Sequence, residues 1–165
     1  MVESPRGKQI VAMGVTANGE RTLSPEETLY LLEQGLALVI EPASDEPLSV
    51  FEFYQHVNVP RYLVYTELRK SGFAVSVAPP VSVFDMTAVR PTRPTECFFV
   101  KVALSSDPAP LWTMHDTIAE LYESTERAIL AVVSGGEVSF LELLPFLPER
   151  CSTVPAHAHK DERQD

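Results

Sequence analysis

The residues whose chemistry could serve catalysis are four histidines, two cysteines and one lysine, Lys101, in a predicted strand. His56 ends one short predicted helix and His115 begins another, so we expect surface or capping roles for both. Lys101 lies inside a predicted strand and can face either side of a sheet. No spacing among these residues indicates a Ser-His-Asp or Cys-His arrangement, and nucleophilic catalysis is therefore not predicted.

The C-terminal segment contains a second group with possible chemistry, a potential metal cluster formed by Cys151, His157 and His159. The spacing C-x5-H-x-H matches no structural zinc pattern, and a fourth ligand is missing. The residues from 149 to 165 are polar and aperiodic, which predicts a disordered tail. We therefore expect neither a metal nor a cofactor.

The chain has 165 residues, a net charge of −10 and a sequence pI near 4.8. Nucleic-acid binding usually leaves a basic footprint, which this sequence lacks, so a basic protein partner is favoured over RNA. No apolar run reaches the roughly 18–20 residues of a membrane helix, and the N-terminus has no secretory h-region. We expect Cys97 and Cys151 to be reduced, in the cytosol or nucleus.

The N-terminal part carries the clearest local signals. Residues 8–14 predict a short strand, and Asn18-Gly19 predicts a turn. Ser24 and Glu27 form a capping box at the start of a helix that stops at Gly35. A shared apolar face is predicted for three leucines of this region: Leu29, Leu32 and Leu36.

The next segment predicts a strand at 36–41, a loop, and a short helix at about 48–57. Three apolar residues of that helix are expected to face inward: Val50, Phe51 and Tyr54. Asn58-Val59-Pro60 separates it from a helix at about 60–71, which ends at Gly72. We place a domain boundary at this break, with a small mixed domain over residues 1–58.

From residue 73 the pattern is rich in strands. Five are predicted, at 73–77, 81–86, 97–104, 128–133 and 138–144, with an amphipathic helix at 111–125 before the fourth. Gly135-Gly136 predicts a hairpin turn between the last two strands. The order β-β-β-α-β-β over residues 59–148 indicates an α+β fold with a mixed sheet and flanking helices.

Several segments together resemble one protein family. GKQIVAMGVTANGERTLSPEETLYLLEQG and LSVFEFYQHVNVPRYLVYTELRKSGFAV are similar to the large structural subunit of the eukaryotic tRNA-splicing endonuclease. FDM, ECFFVKV and RAILAVVSGGEVSFLEL resemble the nuclease-like domain that these subunits share, and the match spans about residues 7 to 147. The resemblance implies a tRNA-intron-endonuclease catalytic-like domain at 59–148.

The resemblance also implies where catalytic residues would lie. Cutting subunits of this family use Tyr, His and Lys to cleave RNA through its 2′-hydroxyl without a metal. Thr87 occupies the Tyr position here, Thr95 the His position and Glu126 the Lys position. Threonine is no general base near neutral pH, and Glu126 would repel a phosphate. We expect a non-catalytic subunit.

The family implies a partner set, in which four related subunits form a heterotetramer of two heterodimers. We expect this chain to pair with a cutting subunit, to meet pre-tRNA indirectly and to be nuclear, with the cytoplasm as the alternative. An archaeal structural subunit is an alternative source. A self-sufficient RNA-cleaving enzyme with a rearranged site and a protein-interaction module outside the complex are alternative functions.

The last predicted hairpin supplies the expected interface. In the family its loop is often acidic and inserts into a neighbour, and the following strand pairs across the heterodimer. Five residues are interface candidates: Glu137, Val138, Phe140, Leu141 and Leu143. Direct RNA contacts are not assigned. Arg90 and Arg93 could touch phosphate, although a proline-stiffened surface loop is favoured.

Overall fold

The computed structural model describes residues 13–17, 20–41, 43–79, 82–106 and 127–143. The helices in these ranges are α1 (Pro25–Glu33), α2 (Val50–Tyr54) and α3 (Val59–Lys70). The strands there are β1 (Val15–Ala17), β2 (Glu20–Thr22), β3 (Ala74–Val77), β4 (Met86–Arg90), β5 (Arg93–Leu104), β6 (Arg127–Ser134) and β7 (Glu137–Leu143). This is the predicted α+β class. None of the described helices has the length and apolarity to cross a membrane.

The main sheet has the strand order β3-β4-β5-β6-β7. Only the β5–β6 pair is parallel, and the other neighbouring pairs are antiparallel. A parallel pair needs a crossover connection, whereas the antiparallel pairs need only short turns. The chain between β5 and β6, including the predicted helix at 111–125, lies outside the described residues.

The start of α1 is built by local hydrogen bonds that the sequence predicted. Ser24 Oγ accepts from Glu27 N, and Glu27 Oε2 accepts from Ser24 N at 2.9 Å, which completes the capping box. Glu27 Oε1 also accepts from Gly14 N, so the buried carboxylate ties the β1–β2 region to α1. Gly14 has φ +74°, and a Cβ there would lie 2.6 Å from Thr22 O.

The end of α1 also follows the prediction. Gly35 has φ +63°, and Leu36 N donates to Leu31 O at 2.9 Å, which closes the helix C-terminus. Leu29 and Leu32 are buried and Leu36 is half-buried, as expected for one apolar face. Leu31 is buried as well and contributes to the main core.

The predicted first strand at 8–14 lies mostly outside the described residues. Residues 8–12 lie outside the described ranges, Met13 and Gly14 form a bend, and the strand begins at Val15. The predicted turn residues Asn18 and Gly19 also lie outside, and the flanking strands pair with Ala17 opposite Glu20.

The predicted strand at 36–41 was wrong. Ile40 forms a single bridge with Pro47, and Leu48 N donates to Val39 O at 2.8 Å. Among the described residues, the segment thus pairs only with its own returning chain. An apolar run becomes a strand when a ladder of partners is available, and no strand of the main sheet lies beside this one.

The second helix is shorter than predicted, and the face predicted to be buried is exposed. It spans Val50–Tyr54, and the three residues expected inside are exposed: Val50, Phe51 and Tyr54. A second capping box, between Ser49 and Glu52, sets where this helix begins. With that start, Phe53 packs against the small cluster of Leu29, Val57 and Tyr62.

The longest helix, α3, is the central packing element. Asn58 Oδ1 caps it by accepting from Arg61 N, and Gly72 at φ +85° follows its end, the second as predicted. Three of its buried residues join one cluster with α1 and the sheet: Met13, Leu31, Val64, Tyr65, Leu68, Val75, Met86, Ala88, Val100, Ala131 and Val133. The cluster includes residues from both sides of the boundary placed after residue 58, which stays a prediction.

Two strand boundaries differ from prediction around β4. The segment expected as a strand at 81–86 bends over Ser82–Asp85, and the strand starts at Met86. A turn in which Ser82 N donates to Pro79 O holds those residues out of the ladder. Pro91 and Thr92, expected in a loop, form a tight turn in which Arg90 lies opposite Arg93.

The final hairpin follows the sequence. Gly135 and Gly136 have φ of +58° and +88°, and Ser134 lies opposite Glu137 across the turn. Glycine adopts positive φ at no steric cost, which is why this pair forms a two-residue turn. The predicted disordered tail at 149–165 lies outside the described residues.

Replacing Tyr65 with Phe is expected to stabilise the protein. The Tyr65 side chain is fully buried, and its hydroxyl has no hydrogen-bond partner among the described residues. An orphaned buried hydroxyl costs free energy, so Tyr65→Phe should raise the free energy of unfolding by roughly 1 kcal/mol. Thermal unfolding measures this as a midpoint higher by roughly 2–4 °C.

Tyr62→Phe is the matched control, because the Tyr62 hydroxyl donates to Glu33 and its loss should destabilise. Burial raises the pKa of Tyr65 above its usual value. Because the buried side chain ionises less readily than tyrosine in the unfolded chain, its contribution to the free energy of unfolding depends on pH. That contribution is fully present below the unfolded tyrosine pKa near 10 and is lost as pH rises above it. Tyr65→Phe should therefore reduce the loss of stability at alkaline pH. Equal unfolding midpoints and equal pH profiles for the two chains would contradict the view that the Tyr65 hydroxyl is unpaired and buried.

Candidate functional site

Asp85, at the start of β4, organises the region where the FDM segment meets the sheet. Its Oδ2 accepts from Val102 N at 2.9 Å and lies 3.2 Å from Lys101 Nζ. Its Oδ1 lies 3.9 Å from Arg61 Nε. Phe84 stacks on Phe99 with ring centroids 4.6 Å apart. The segment thus locks the start of β4 onto β5, and Lys101 is engaged there.

Thr87, the predicted remnant of a catalytic Tyr, is the second residue of β4. It lies opposite Ser76 on β3 and Phe99 on β5. Its strand neighbours Met86 and Ala88 face the core, so Thr87 lies on the other face, where it is half-buried. An aliphatic hydroxyl between a serine and an aromatic ring has no group that would activate it as a base.

The structure does not bring Thr87 and Thr95 together. Thr95 is exposed on β5, four residues before Phe99, the cross-strand partner of Thr87. At the rise of an extended strand this separates the two positions by roughly 13 Å along β5. Glu126 lies outside the described residues, and its chain neighbour Arg127 lies opposite Phe98.

Arg90 and Arg93 are already paired. Both lie close to Glu96, at 3.6 Å for Arg90 Nε and 3.0 Å for Arg93 Nη1. The Arg90 guanidinium also sits 4.9 Å from the centre of the Phe73 ring. A carboxylate shared by two guanidinium groups lowers their joint charge, which disfavours a phosphate contact at this turn.

A cleft of about 430 Å³ opens between the starts of α1 and α3 and the segment after β3. Glu26, His56, Asn58 and Arg61 are among its lining residues. The Arg61 guanidinium donates to Ala78 O at 3.2 Å and Asp85 O at 3.1 Å, and its Nε lies 3.5 Å from Glu26 Oε1. The cation of this cleft is held by protein oxygens, so the cleft serves as a structural junction.

Sequence reasoning missed this junction. Glu26 is buried at 4% exposure, and its partner Arg61 is 35 residues further along the chain. A carboxylate in a first helical turn normally serves the helix dipole, so nothing local indicated a distant cation. Only the FDM segment, which the family resemblance singled out, pointed toward Asp85.

The remaining candidates with possible chemistry are placed as follows. His56 is exposed after α2, with its ring 6.0 Å from that of Phe53. Cys97 is half-buried on β5 opposite Val89. His115, Cys151, His157 and His159 lie outside the described residues. In the described ranges, no three His, Cys, Asp or Glu side chains group as metal ligands would.

β7 is an end strand of the five-stranded sheet and carries the predicted interface residues. It pairs with β6 on one side, and no strand in the described part of the chain pairs with its other side. Phe140 is 40% exposed and Leu141 is 53% exposed, and they lie on opposite faces of the strand. Glu137 is exposed, whereas Val138 and Leu143 are half-buried.

Val138 and Phe140 lie opposite Val133 and Ala131, two core residues. They therefore share the face of the sheet that packs on α3. Leu141 lies opposite Leu130 on the other face. An end strand with apolar side chains on both faces is typical of a strand that adds a partner at its edge.

The first 40 residues match the family model described as the N-terminal domain of tRNA-splicing endonuclease subunit Sen54. The N-terminal region is Sen54-like. Over 78 residues the chain is 37% identical to the tRNA-splicing endonuclease subunit Sen54 of Mus musculus. That alignment covers 44% of this chain and 14% of the mouse protein.

The Sen54-like region contains β1, β2 and α1. It includes the Ser24–Glu27 capping box, buried Glu26 and the Gly35 helix end. Glu26 of this region faces Arg61 of α3, and Leu31 packs in the core cluster that contains α3 and the main sheet. The likeness to Sen54 therefore falls on residues that support the core.

Proposed function

We propose that this chain is a non-catalytic, structural subunit of a tRNA-splicing endonuclease. It supports intron excision from pre-tRNA by pairing with a subunit that cuts. The observation that carries the proposal is the Sen54-like N-terminal region, which packs on a sheet whose candidate catalytic position holds Thr87.

The chemistry at the candidate positions supports a non-cutting role. Cleavage through the 2′-hydroxyl needs a general base, a general acid and a cation near the developing phosphate charge. Thr87 and Thr95 supply none of these groups and lie apart on the sheet. Two cations beside the FDM segment, Arg61 and Lys101, face the carboxylate of Asp85.

The exposed edge of β7 supports the pairing role. Its partner would extend the sheet by main-chain hydrogen bonds and cover Phe140 and Leu141. The heterodimer would join a second pair in a heterotetramer that works in the nucleus, with pre-tRNA held by the other subunits. A net charge of −10 favours a basic partner surface over the RNA itself.

Affinity purification of the tagged chain from its own cells, with mass spectrometry, tests the proposal. We expect related subunits that carry intact Tyr, His and Lys, together with pre-tRNA cleavage in the eluate. Recovery of the chain alone, or with unrelated proteins, would favour an interaction module outside the complex. Cleavage by the purified chain alone would favour a self-sufficient enzyme.

Alanine at Thr87, Thr95 and Glu126 together is expected to leave the cleavage rate of the assembled complex unchanged within about twofold. None of the three side chains supplies a catalytic group, so their removal should not alter the barrier. Single-turnover cleavage of pre-tRNA by the reconstituted complex measures this. The matched control replaces the Tyr of the cutting subunit, which should lower the rate by about 100-fold or more. Lost cleavage in a folded, assembled triple variant would refute the non-catalytic assignment.

A further inference from the structure

Five apolar side chains in or near α2 are exposed and lie outside the core clusters, although the ring of Tyr54 has an edge contact with that of Tyr62. They are Leu38, Ile40, Val50, Phe51 and Tyr54, which together form what we name the α2 patch. Phe51 is 80% exposed and Leu38 is 78% exposed. Side chains of this size rarely stay this open to water in a group unless they bind something.

The local geometry makes these residues one surface. Val50, Phe51 and Tyr54 lie at helical spacing on one side of α2. Leu38 and Ile40 alternate with Val39 in an extended segment, so they share one side of it. Leu48 N donates to Val39 O at 2.8 Å, which places the start of α2 beside that segment.

The charged residues of the chain segment that carries the patch are of one sign. Between Arg21 and Arg61 the sequence has no Lys or Arg, and it has seven acidic residues. Two of these, Glu26 and Glu27, are buried. The other five are exposed: Glu33, Glu41, Asp45, Glu46 and Glu52. Four of them are interleaved along the chain with the patch residues, and we name these four its acidic rim: Glu41, Asp45, Glu46 and Glu52.

This rim decides the class of the partner. An acidic rim repels RNA phosphates and anionic membrane surfaces. It also repels a second copy of itself, because a twofold contact would set the same carboxylates against each other. We propose that the α2 patch docks a protein segment whose apolar side chains are flanked by Lys and Arg, such as a basic amphipathic helix. This site is separate from β7 and does not depend on membership of the endonuclease.

Two helical peptides of about 18 residues test the proposal directly. They share one apolar face, and the polar face carries Lys in the first and Glu in the second. Fluorescence anisotropy with the full chain at low salt measures both affinities. We expect the Lys peptide to bind about 10-fold tighter or more, and its advantage to shrink as salt rises.

Substitutions in the α2 patch test whether the Lys peptide binds there. Leu38→Ser with Phe51→Ser should weaken binding of the Lys peptide by about 10-fold or more. Glu41→Lys with Glu46→Lys should reverse the ranking of the two peptides. Leu104→Ser, an equally simple change at an exposed apolar residue at the end of β5, should change neither affinity. Circular dichroism and the unfolding midpoint confirm that each variant is folded.

Each other outcome overturns the proposal. Equal affinities for the two peptides would remove the role of the acidic rim. Unchanged binding after Leu38→Ser and Phe51→Ser, in a chain that stays folded, would place the peptide elsewhere. A patch variant that changed the affinity for an RNA hairpin, or the sedimentation of the free chain, would assign the surface to RNA or to self-association.

Discussion

Phe140→Asp is expected to release the cutting subunit while the chain itself stays folded. Phe140 is 40% exposed on the end strand β7, so the free chain tolerates a polar side chain there. In the heterodimer the same position would be buried, and an unpaired carboxylate would then be desolvated. We expect a loss of roughly 2–4 kcal/mol, a weakening of about 30-fold to 1000-fold. Co-purification and the dissociation constant of the reconstituted pair measure this.

Ser76→Asp is the matched control for this change. It adds the same charge at an exposed position on β3, the end strand on the other side of the sheet. Binding should weaken far less than for Phe140→Asp. Unchanged affinity of a folded Phe140→Asp chain would remove β7 as the pairing edge. Loss of the partner with a fall in the unfolding midpoint would instead show that Phe140 supports the core.

Asp85→Ala is expected to cause a large loss of stability. The change leaves Val102 N without its acceptor and removes the carboxylate that faces Lys101 and Arg61. Breaking a partly buried, charge-assisted network typically costs about 2–4 kcal/mol. The unfolding midpoint should fall by roughly 4–16 °C. Thermal and urea unfolding of the purified chain measure it.

Glu46→Ala provides the comparison, because Glu46 is an exposed carboxylate in the connection before α2. Surface changes of this kind stay within about 0.5 kcal/mol. Equal midpoints for Asp85→Ala and Glu46→Ala would show that the FDM segment does not lock β4 to β5. Because Asp85 also faces Arg61, Asp85→Ala should add little to a chain that already carries Arg61→Ala.

Local signals predicted the boundaries of elements where the deciding bonds are only a few residues apart. The capping box links residues three apart, and the helix ends at Gly35 and Gly72 depend on positive φ at one residue. The Gly135-Gly136 hairpin follows the same logic. Such interactions form whatever the rest of the chain does, so their residues can be recognised in the sequence.

Errors occurred where a distant partner decides the outcome. The apolar run at 36–41 resembles a strand, yet only the returning segment at Pro47 pairs with it. The face of α2 was misassigned, because apolar residues occur all around this short helix and packing against the cluster of Leu29, Val57 and Tyr62 selects Phe53. At the candidate site, Thr87 lies on a strand of the sheet. Its distance from Thr95 could be judged only from the pairing register of β4 and β5.

The sequence by itself determined the α+β class, the helix caps, the glycine turns and the acidic charge, since each depends on composition or on neighbours along the chain. The tertiary structure alone decided that Arg61 joins Glu26 to Asp85 and that β7 ends the sheet. It alone exposed Phe51 and Leu38 beside a rim of carboxylates. The physical reason is that burial and pairing depend on which surfaces meet, and residues far apart in the chain settle this together.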